Sequence, residues 1–430
     1  MNLKLIASLI FLQCFVYKNT EFGPVLELGL TVTPDRLVFI IILVFAIWKL
    51  TCGELQFPGL GKVGCYMLLF TLICTVSSFV LGAGSHVLYY LFDFIYNPFT
   101  IFVLAKSIPH SHKKLESLSF AFLAVGAYLA INGAFEHFGP HTLVWPKYIL
   151  DPHVGIQFER TRGSFASSEA LGMALIMSFL FYAFYSTRVK GKKLYWAYLM
   201  MLVTAGVIYT ANQRSAWVSF GLCLAILAIA KTEMKQVARV FIGFVLLGFF
   251  LGVGTHLSFW ETRTLFSQRQ ETVSYRQAND LATLAMGMAN PIFGIGFGNF
   301  KSAWPKYFRP IEGSEIEIRD LTDGNHNTFL GLFAEIGLVG FVPYLMIFCH
   351  MFRVGLRVYG REEGLAREFS LVFLLVMISY LVGANFSDYR SGRFHNTVLF
   401  LLFGAVAGID VQGAILHSPV VRPRASRSGV

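Results

Sequence analysis

Charge is scarce in this 430-residue sequence: Asp, Glu, Lys and Arg together make up 14% of it, where ordinary soluble domains carry roughly 25%. With 55% hydrophobic residues and a mean hydropathy of +0.59, the chain is excluded from intrinsic disorder, which needs low hydrophobicity and high net charge. It is equally excluded from a single soluble globule, whose surface could not cover that much apolar material. Cysteine chemistry is also missing. Cys14, Cys52, Cys65, Cys74, Cys223 and Cys349 form no CxxC pair and no Cys/His group at zinc spacing, so they read as small hydrophobes within or beside apolar runs. There is no P-loop, haem motif or Ser-His-Asp grouping, and no internal repeat.

Long apolar runs take the place of these signatures. A membrane-crossing helix needs about 20 mostly apolar residues. Runs that fit lie near 3–20, 36–51, 63–82, 87–106, 115–135, 165–187, 195–211, 215–230, 239–255, 327–352, 367–384 and 394–410. The expected fold is all-α: a polytopic transmembrane helical bundle of about twelve spans. The first run follows Lys4 as a signal-peptide core would, but no A-x-A-like cleavage site comes after it, so it reads as a retained span.

The charges that remain are sorted by segment. Lys and Arg number 35 against 25 Asp and Glu, a net +10. In a soluble chain such a surplus would raise nucleic acid as a partner. Here 20 of the 35 lie at Lys4 and in alternate connections such as 106–114, 188–193, 231–239 and 353–367, and in the 422–427 tail. Short connections rich in Lys and Arg stay in the cytoplasm, so the surplus is an orientation signal and no nucleic-acid partner is expected. Two longer loops, about 136–164 and 256–326, fall on the other side, and helical patterning over Ser274–Met288 marks the second as partly folded. The chain divides into N-terminal helices (1–135), a central part carrying both loops (136–352) and C-terminal helices with a basic tail (353–430).

Polar clusters concentrate on that outer side. Tyr209-Thr-Ala-Asn-Gln-Arg-Ser-Ala-Trp217 joins two spans with almost no loop, which leaves Arg214 at the membrane boundary, either as a headgroup anchor or as an anion-binding group in a cavity. Tyr275-Arg276 opens a polar helix that stops at Pro291, followed by Gly294, Gly296 and Gly298, a G-x-G-x-G turn without the strand context of a dinucleotide site. Asp323-Gly-Asn325-His326-Asn327-Thr328 leads into a span, and a neutral imidazole there can accept a proton from a hydroxyl. Arg160 and Arg162 form a basic pair able to grip an anion, and Arg393 with His395 echoes the His326 cluster on the acceptor side. Each has a plainer reading as a solvated or structural group. Glu312, Glu315, Glu317, Asp320 and Asp323 supply oxygen ligands but form a loose run of the usually solvated kind, so no metal site is expected.

Three of these stretches resemble the O-antigen ligase/polymerase superfamily. Asn325-His326-Asn327-Thr-Phe-Leu330 with Glu335-Ile-Gly337-Leu-Val-Gly340 is similar to its HN-x-x-L…E-x-G-x-x-G signature, and Pro291-Ile-Phe-Gly294-Ile-Gly296-Phe-Gly298-Asn-Phe300 to its P-x-x-G-x-G-x-x-x-F turn. Asn212-Gln213-Arg214-Ser-Ala-Trp217 is similar to its span start, with Asn212-Gln213 in place of the usual Ser/Thr-rich lead-in. The resemblance covers about 160–345. It implies a GT-C-like membrane glycosyltransferase in the bacterial inner membrane, inverting and metal-independent, with no cofactor. Such an enzyme moves a glycan from a polyprenyl (undecaprenyl) diphosphate to a hydroxyl on the periplasmic face. Arg214, Arg276 and His326 are the residues it marks as functional. Arg160, Arg162, Asn325, Asn327, Arg393 and His395 are expected to bind substrate. The acceptor is lipid A-core if the protein is a ligase, the leading expectation, or a growing glycan if it is an O-antigen, capsule or exopolysaccharide polymerase. A transporter or flippase also fits twelve spans, but its polar groups would lie near the membrane midplane rather than at one boundary.

Overall fold

A computed structural model describes residues 3–14, 33–55, 59–84, 87–108, 111–253, 261–309 and 325–416, without side chains for 3–5, 244–253, 261–274, 391 and 414–416. Among the described residues the chain is helical, with no strand. The helices are α1 (Leu3–Gln13), α2 (Pro34–Thr51), α3 (Gly61–Val80) and α4 (Val87–Tyr90), which runs through a π-helical stretch, Leu91–Tyr96, into α5 (Asn97–Ser107). Then come α6 (His112–Phe138), α7 (Ser168–Ser186), α8 (Lys192–Thr210), α9 (Arg214–Ile229) and α10 (Met234–Val253). The expected outer loop holds α11 (Glu261–Ala289) and α12 (Phe300–Tyr307), and the chain continues through α13 (Thr328–Arg361), α14 (Gly364–Ala384) and α15 (Arg393–Leu416).

A helix stands at each of the twelve apolar runs. Among the described residues, seven helices are long and apolar enough to cross a membrane: Gly61–Val80, Val87–Ser107, His112–Phe138, Ser168–Ser186, Thr328–Arg361, Gly364–Ala384 and Arg393–Gly413. Others fall short for visible reasons. α2 carries Asp35, Arg36 and Lys49, and α9 has 16 residues.

Burial sorts the helices into layers. The spans of α15 and α7 are 89% and 83% buried, whereas that of α3 is 33% buried. A helix apolar all round belongs inside a bundle or against lipid; α7 and α15 form the centre, and α3 turns Leu68, Leu72, Val76 and Phe79 outward. Much of the phenylalanine excess fills seams between helices. Phe122 stacks on Phe181 at 4.3 Å and Phe102 on Phe403 at 4.9 Å, contacts worth about 0.5–1.5 kcal/mol each beyond the area they bury.

The bundle has two unlike ends. At one, cations pair locally: Arg188 with Glu368 at 2.6 Å, Arg357 and Arg361 with Asp410 at 2.9 and 3.2 Å, and Lys106 Nζ donating to the Gly59 carbonyl at 2.8 Å. The other end gathers the N-termini of α2, α7, α9, α13 and α15, each with a partial positive charge. α13 is broken near this end at Gly337, whose φ of 56° and ψ of −166° are not helical.

Candidate functional site

The site end is assembled on the start of α7. At the end of α6, the Glu136 carboxylate accepts the backbone N–H groups of Arg162 at 3.0 Å and Gly163 at 2.8 Å. The Arg162 guanidinium is fully buried and donates to the carbonyls of Ile149, Asp151 and Val154 at 2.7, 2.9 and 2.5 Å. Arg162 is therefore a staple for the 149–163 loop, pointed inward; Arg160 beside it is half-buried. Gln157, at φ 59°, accepts from the Ser168 hydroxyl and, at 2.6 Å, from Gln213 Nε2, which also donates to Ser168 Oγ at 2.6 Å. This triangle ties the start of α9 to the start of α7. A Cβ on Gly172 would meet the Ala216 methyl at 2.9 Å, so the two helices nearly touch just below. The next residue, Arg214, opens α9 with its side chain exposed.

The start of α13 is built by the asparagines beside His326. Asn327 Oδ1 accepts the N–H groups of Phe329 and Leu330 at 3.0 and 3.1 Å, capping the helix. Asn325 Oδ1 accepts the Asn327 N–H at 3.0 Å, and its Nδ2 donates to the Asn327 carbonyl. Both amides thus serve the backbone and fix the turn that presents His326. Thr328 Oγ1 completes the turn, donating to the Ser387 carbonyl at 2.6 Å and accepting the Tyr389 N–H at 2.9 Å.

His326 is half-buried and meets the Tyr275 ring edge-on at 6.2 Å. Arg276, the next residue of α11, is also half-buried. It interacts electrostatically with Glu169, in the first turn of α7, and with Asp280, one turn further along α11. Glu169 accepts from the Ser387 hydroxyl. Burial pushes the Asp280 carboxyl above its ordinary range, with Arg276 pulling partly back. A connected path therefore runs from His326 through Tyr275 to Arg276, across Glu169 and Ser168 at the start of α7, and through Gln213 to Arg214.

Below this lies an interlock. The Asn290–Asn299 turn crosses the break in α13: Ile295 and Gly296 donate to the Ala334 and Glu335 carbonyls at 3.1 and 2.8 Å, while Leu338 and Val339 donate back to Pro291 and Ile292 at 2.8 and 3.1 Å. Both sides need glycine. A Cβ at Gly294 (φ 71°) would land on the Glu335 carbonyl, and one at Gly337 on the Ile292 carbonyl. Glu335 Oε1 accepts the Phe300 N–H at 3.0 Å at the start of α12, and Oε2 pairs with Arg390 at 2.5 Å. Arg390 is buried and also holds Asp388 at 2.6 Å. Burial works against its charge, but the two carboxylates outweigh it and hold the guanidinium well above its ordinary range.

Arg393 and His395 are turned into the core. Arg393 donates to Asp93 at 2.6 Å and lies 3.5 Å from Asp35, and Arg36 pairs with Asp93 at 3.2 Å. His395 is buried, 3.0 Å from the Ala170 carbonyl and stacked on Tyr389. The acidic run from Glu312 to Asp323 lies outside the described residues.

Glu169 was not singled out from the sequence, and Tyr275 was marked only as the start of its stretch. The signal for Glu169 was available: an acid just after a Ser-Ser pair, ahead of a long apolar run, marks a helix start that can face a cation. The buried Asp35–Arg36–Asp93–Arg393 group was signalled by charges set in otherwise apolar helices.

Seven membrane-length apolar helices, with polar groups gathered at one end, define a multi-pass membrane protein. Residues 199–345 match the family model described as O-Antigen ligase, a stretch from α8 into α13 that contains Arg214, Arg276 and His326. The match agrees with the resemblance read from its motifs. No curated protein matches the chain.

Proposed function

We propose that this chain is an inner-membrane glycosyltransferase that moves a glycan from a polyprenyl diphosphate to an acceptor hydroxyl on the periplasmic face. The observation that carries the reading is the His326–Tyr275 contact, which sets Arg276 and His326 together at one end of the bundle. Positive-inside sorting assigns the opposite, cation-rich end to the cytoplasm. The apolar runs at α1, α2, α8, α9 and α10 complete the expected twelve crossings.

Arginine matches phosphate oxygens with a rigid, permanently charged fork. Arg276 and Arg214 hold the diphosphate and stabilise the charge that gathers on it as the glycosidic bond breaks. His326 accepts the proton of the acceptor hydroxyl, whose oxygen attacks the anomeric carbon from the face opposite the diphosphate and inverts it. General-base assistance of this kind is worth about 10²–10⁴-fold. The polyprenyl diphosphate departs with the electron pair, and no metal ion takes part. Arg160 stands on the neighbouring loop, where it can reach an anionic donor group. Arg162, Asn325, Asn327, Arg393 and His395 act on backbone or core groups and position the site.

A ligase acting on lipid A-core is the leading form, and a polymerase acting on a growing glycan is the alternative. The surface glycan of a deletion strain separates them. Core without O-antigen identifies a ligase, core with a single repeat a polymerase, and loss of a secreted polymer an exopolysaccharide or capsule enzyme. An unchanged surface glycan contradicts the proposal.

A further inference from the structure

Arg353 is the first cation met at the cytoplasmic end of α13. Counting about 20 residues outward from it places the outer edge of the hydrocarbon near Phe333. The same count from Lys62 reaches the end of α3, near Leu81, and from Lys106 it reaches Val87. The Asn290–Asn299 turn touches all three helices, so its depth can be read. A Cβ on Gly296 would meet Leu81 and one on Gly298 would meet Val87, which puts these glycines at the edge. Ile292 bonds to Val339, six residues inside the edge and thus about 9 Å into the leaflet at 1.5 Å per residue. The second half of α11 descends to reach it: Gly287 packs against Phe333 and Ala334, while Tyr275 stays level with His326.

The surface of this segment matches that depth. Its inner face, Ala278, Ala282 and Met286, is buried. Its outer face shows Leu284, Met288, Ile292 and Phe293, the last three 65%, 56% and 69% exposed. That stripe is continuous with Leu338, Val339 and Val342, the outward face of the α13 span. Irregular backbone is tolerated in a bilayer only where its polar groups are satisfied by protein, and the four bonds across the α13 break supply such partners at that depth.

The geometry points to a re-entrant element: Leu284–Phe293 enters the outer leaflet and contacts phospholipid acyl chains, although the sequence places it in an external loop. The break at Gly337 exists to receive it. His326, about seven residues beyond the edge, then lies roughly 10 Å outside the hydrocarbon, at headgroup depth. This inference rests on the fold and the span limits, so it can fail without the transfer reading failing.

A photoreactive benzophenone amino acid placed at Met288, at Phe293 or at exposed Lys301 of α12, in the otherwise unaltered protein in phosphatidylethanolamine–phosphatidylglycerol vesicles, tests it. Phospholipid adducts are expected at 288 and 293 and not at 301. Adducts at 288 and 293 no more abundant than at 301 overturn the inference. Carbene footprinting of the unmodified protein in the same vesicles guards against misfolded variants. A lipid-soluble reagent should label 284–293 and a water-borne one should spare it; the reverse pattern overturns the inference.

Discussion

Gly337→Ala tests the interlock that holds the site together. Gly337 sits at φ 56°, and an added Cβ would land on the carbonyl of Ile292, which accepts the Val339 N–H at 3.1 Å. Backbone at φ 56° and ψ −166° is essentially confined to glycine and costs another residue about 1–3 kcal/mol. Driving the turn outward also loosens the bonds from Leu338 to Pro291 and from Val339 to Ile292, each worth about 1 kcal/mol net. The sum is about 3–5 kcal/mol against local opening, a rise of roughly 100-fold or more in the open population at about 1.4 kcal/mol per tenfold. Hydrogen exchange of the Ile295, Gly296, Leu338 and Val339 amides, measured in detergent or nanodiscs, should speed up by that factor, with Arg188 and Glu368 at the far end unaffected. Gly360→Ala is the control: it has ordinary helical backbone and nothing within 4 Å of an added Cβ, and it should leave exchange unchanged. Exchange in Gly337→Ala within about twofold of wild type would refute the reasoning.

Glu335→Ala strands the buried Arg390 guanidinium and removes the acceptor for the Phe300 N–H. Losing one partner of a buried pair costs about 3–5 kcal/mol, partly offset here by Asp388, so thermal unfolding in detergent should occur well below the wild-type temperature; an unchanged midpoint contradicts the assignment. Asp280 titrates above an ordinary carboxyl in the folded protein because burial disfavours its charge. Its stabilising contribution is therefore complete below the usual carboxylate range, where it is neutral, and is lost as pH rises through the raised value. Asp280→Asn should match wild-type stability in acid and equal or exceed it at neutral pH; a variant destabilised only at neutral pH contradicts the shift.

Much of the architecture was legible because apolar runs and helical spans share one length scale: a helix stands at each of the twelve runs. Their standing as spans was less legible, since α2 carries Asp35 and Arg36 for pairing with Arg393 and Asp93, a demand set by distant helices. In the candidate site, the motifs marked stretches that meet at one end of the bundle but could not show which atoms face outward. Arg162 and Arg160 look alike in sequence, yet Arg162 is committed to three carbonyls, a contact with no sequence pattern. Asn325 and Asn327 resemble ligands beside His326, and their bonds to the backbone that build its turn have no sequence pattern. Gly294 and Gly337 were visible as spacing, but their mutual fit across the α13 break exists only in three dimensions.

The central claim is that Arg276 and His326 act together on a lipid-linked diphosphate. The most direct measurement is glycan transfer by reconstituted protein, using polyprenyl diphosphate donor and acceptor, comparing wild type with His326→Ala and Arg276→Ala. The account predicts that both variants bring transfer down by at least about 10²-fold while keeping the wild-type unfolding temperature and membrane insertion. His326→Ala transferring at the wild-type rate would contradict it.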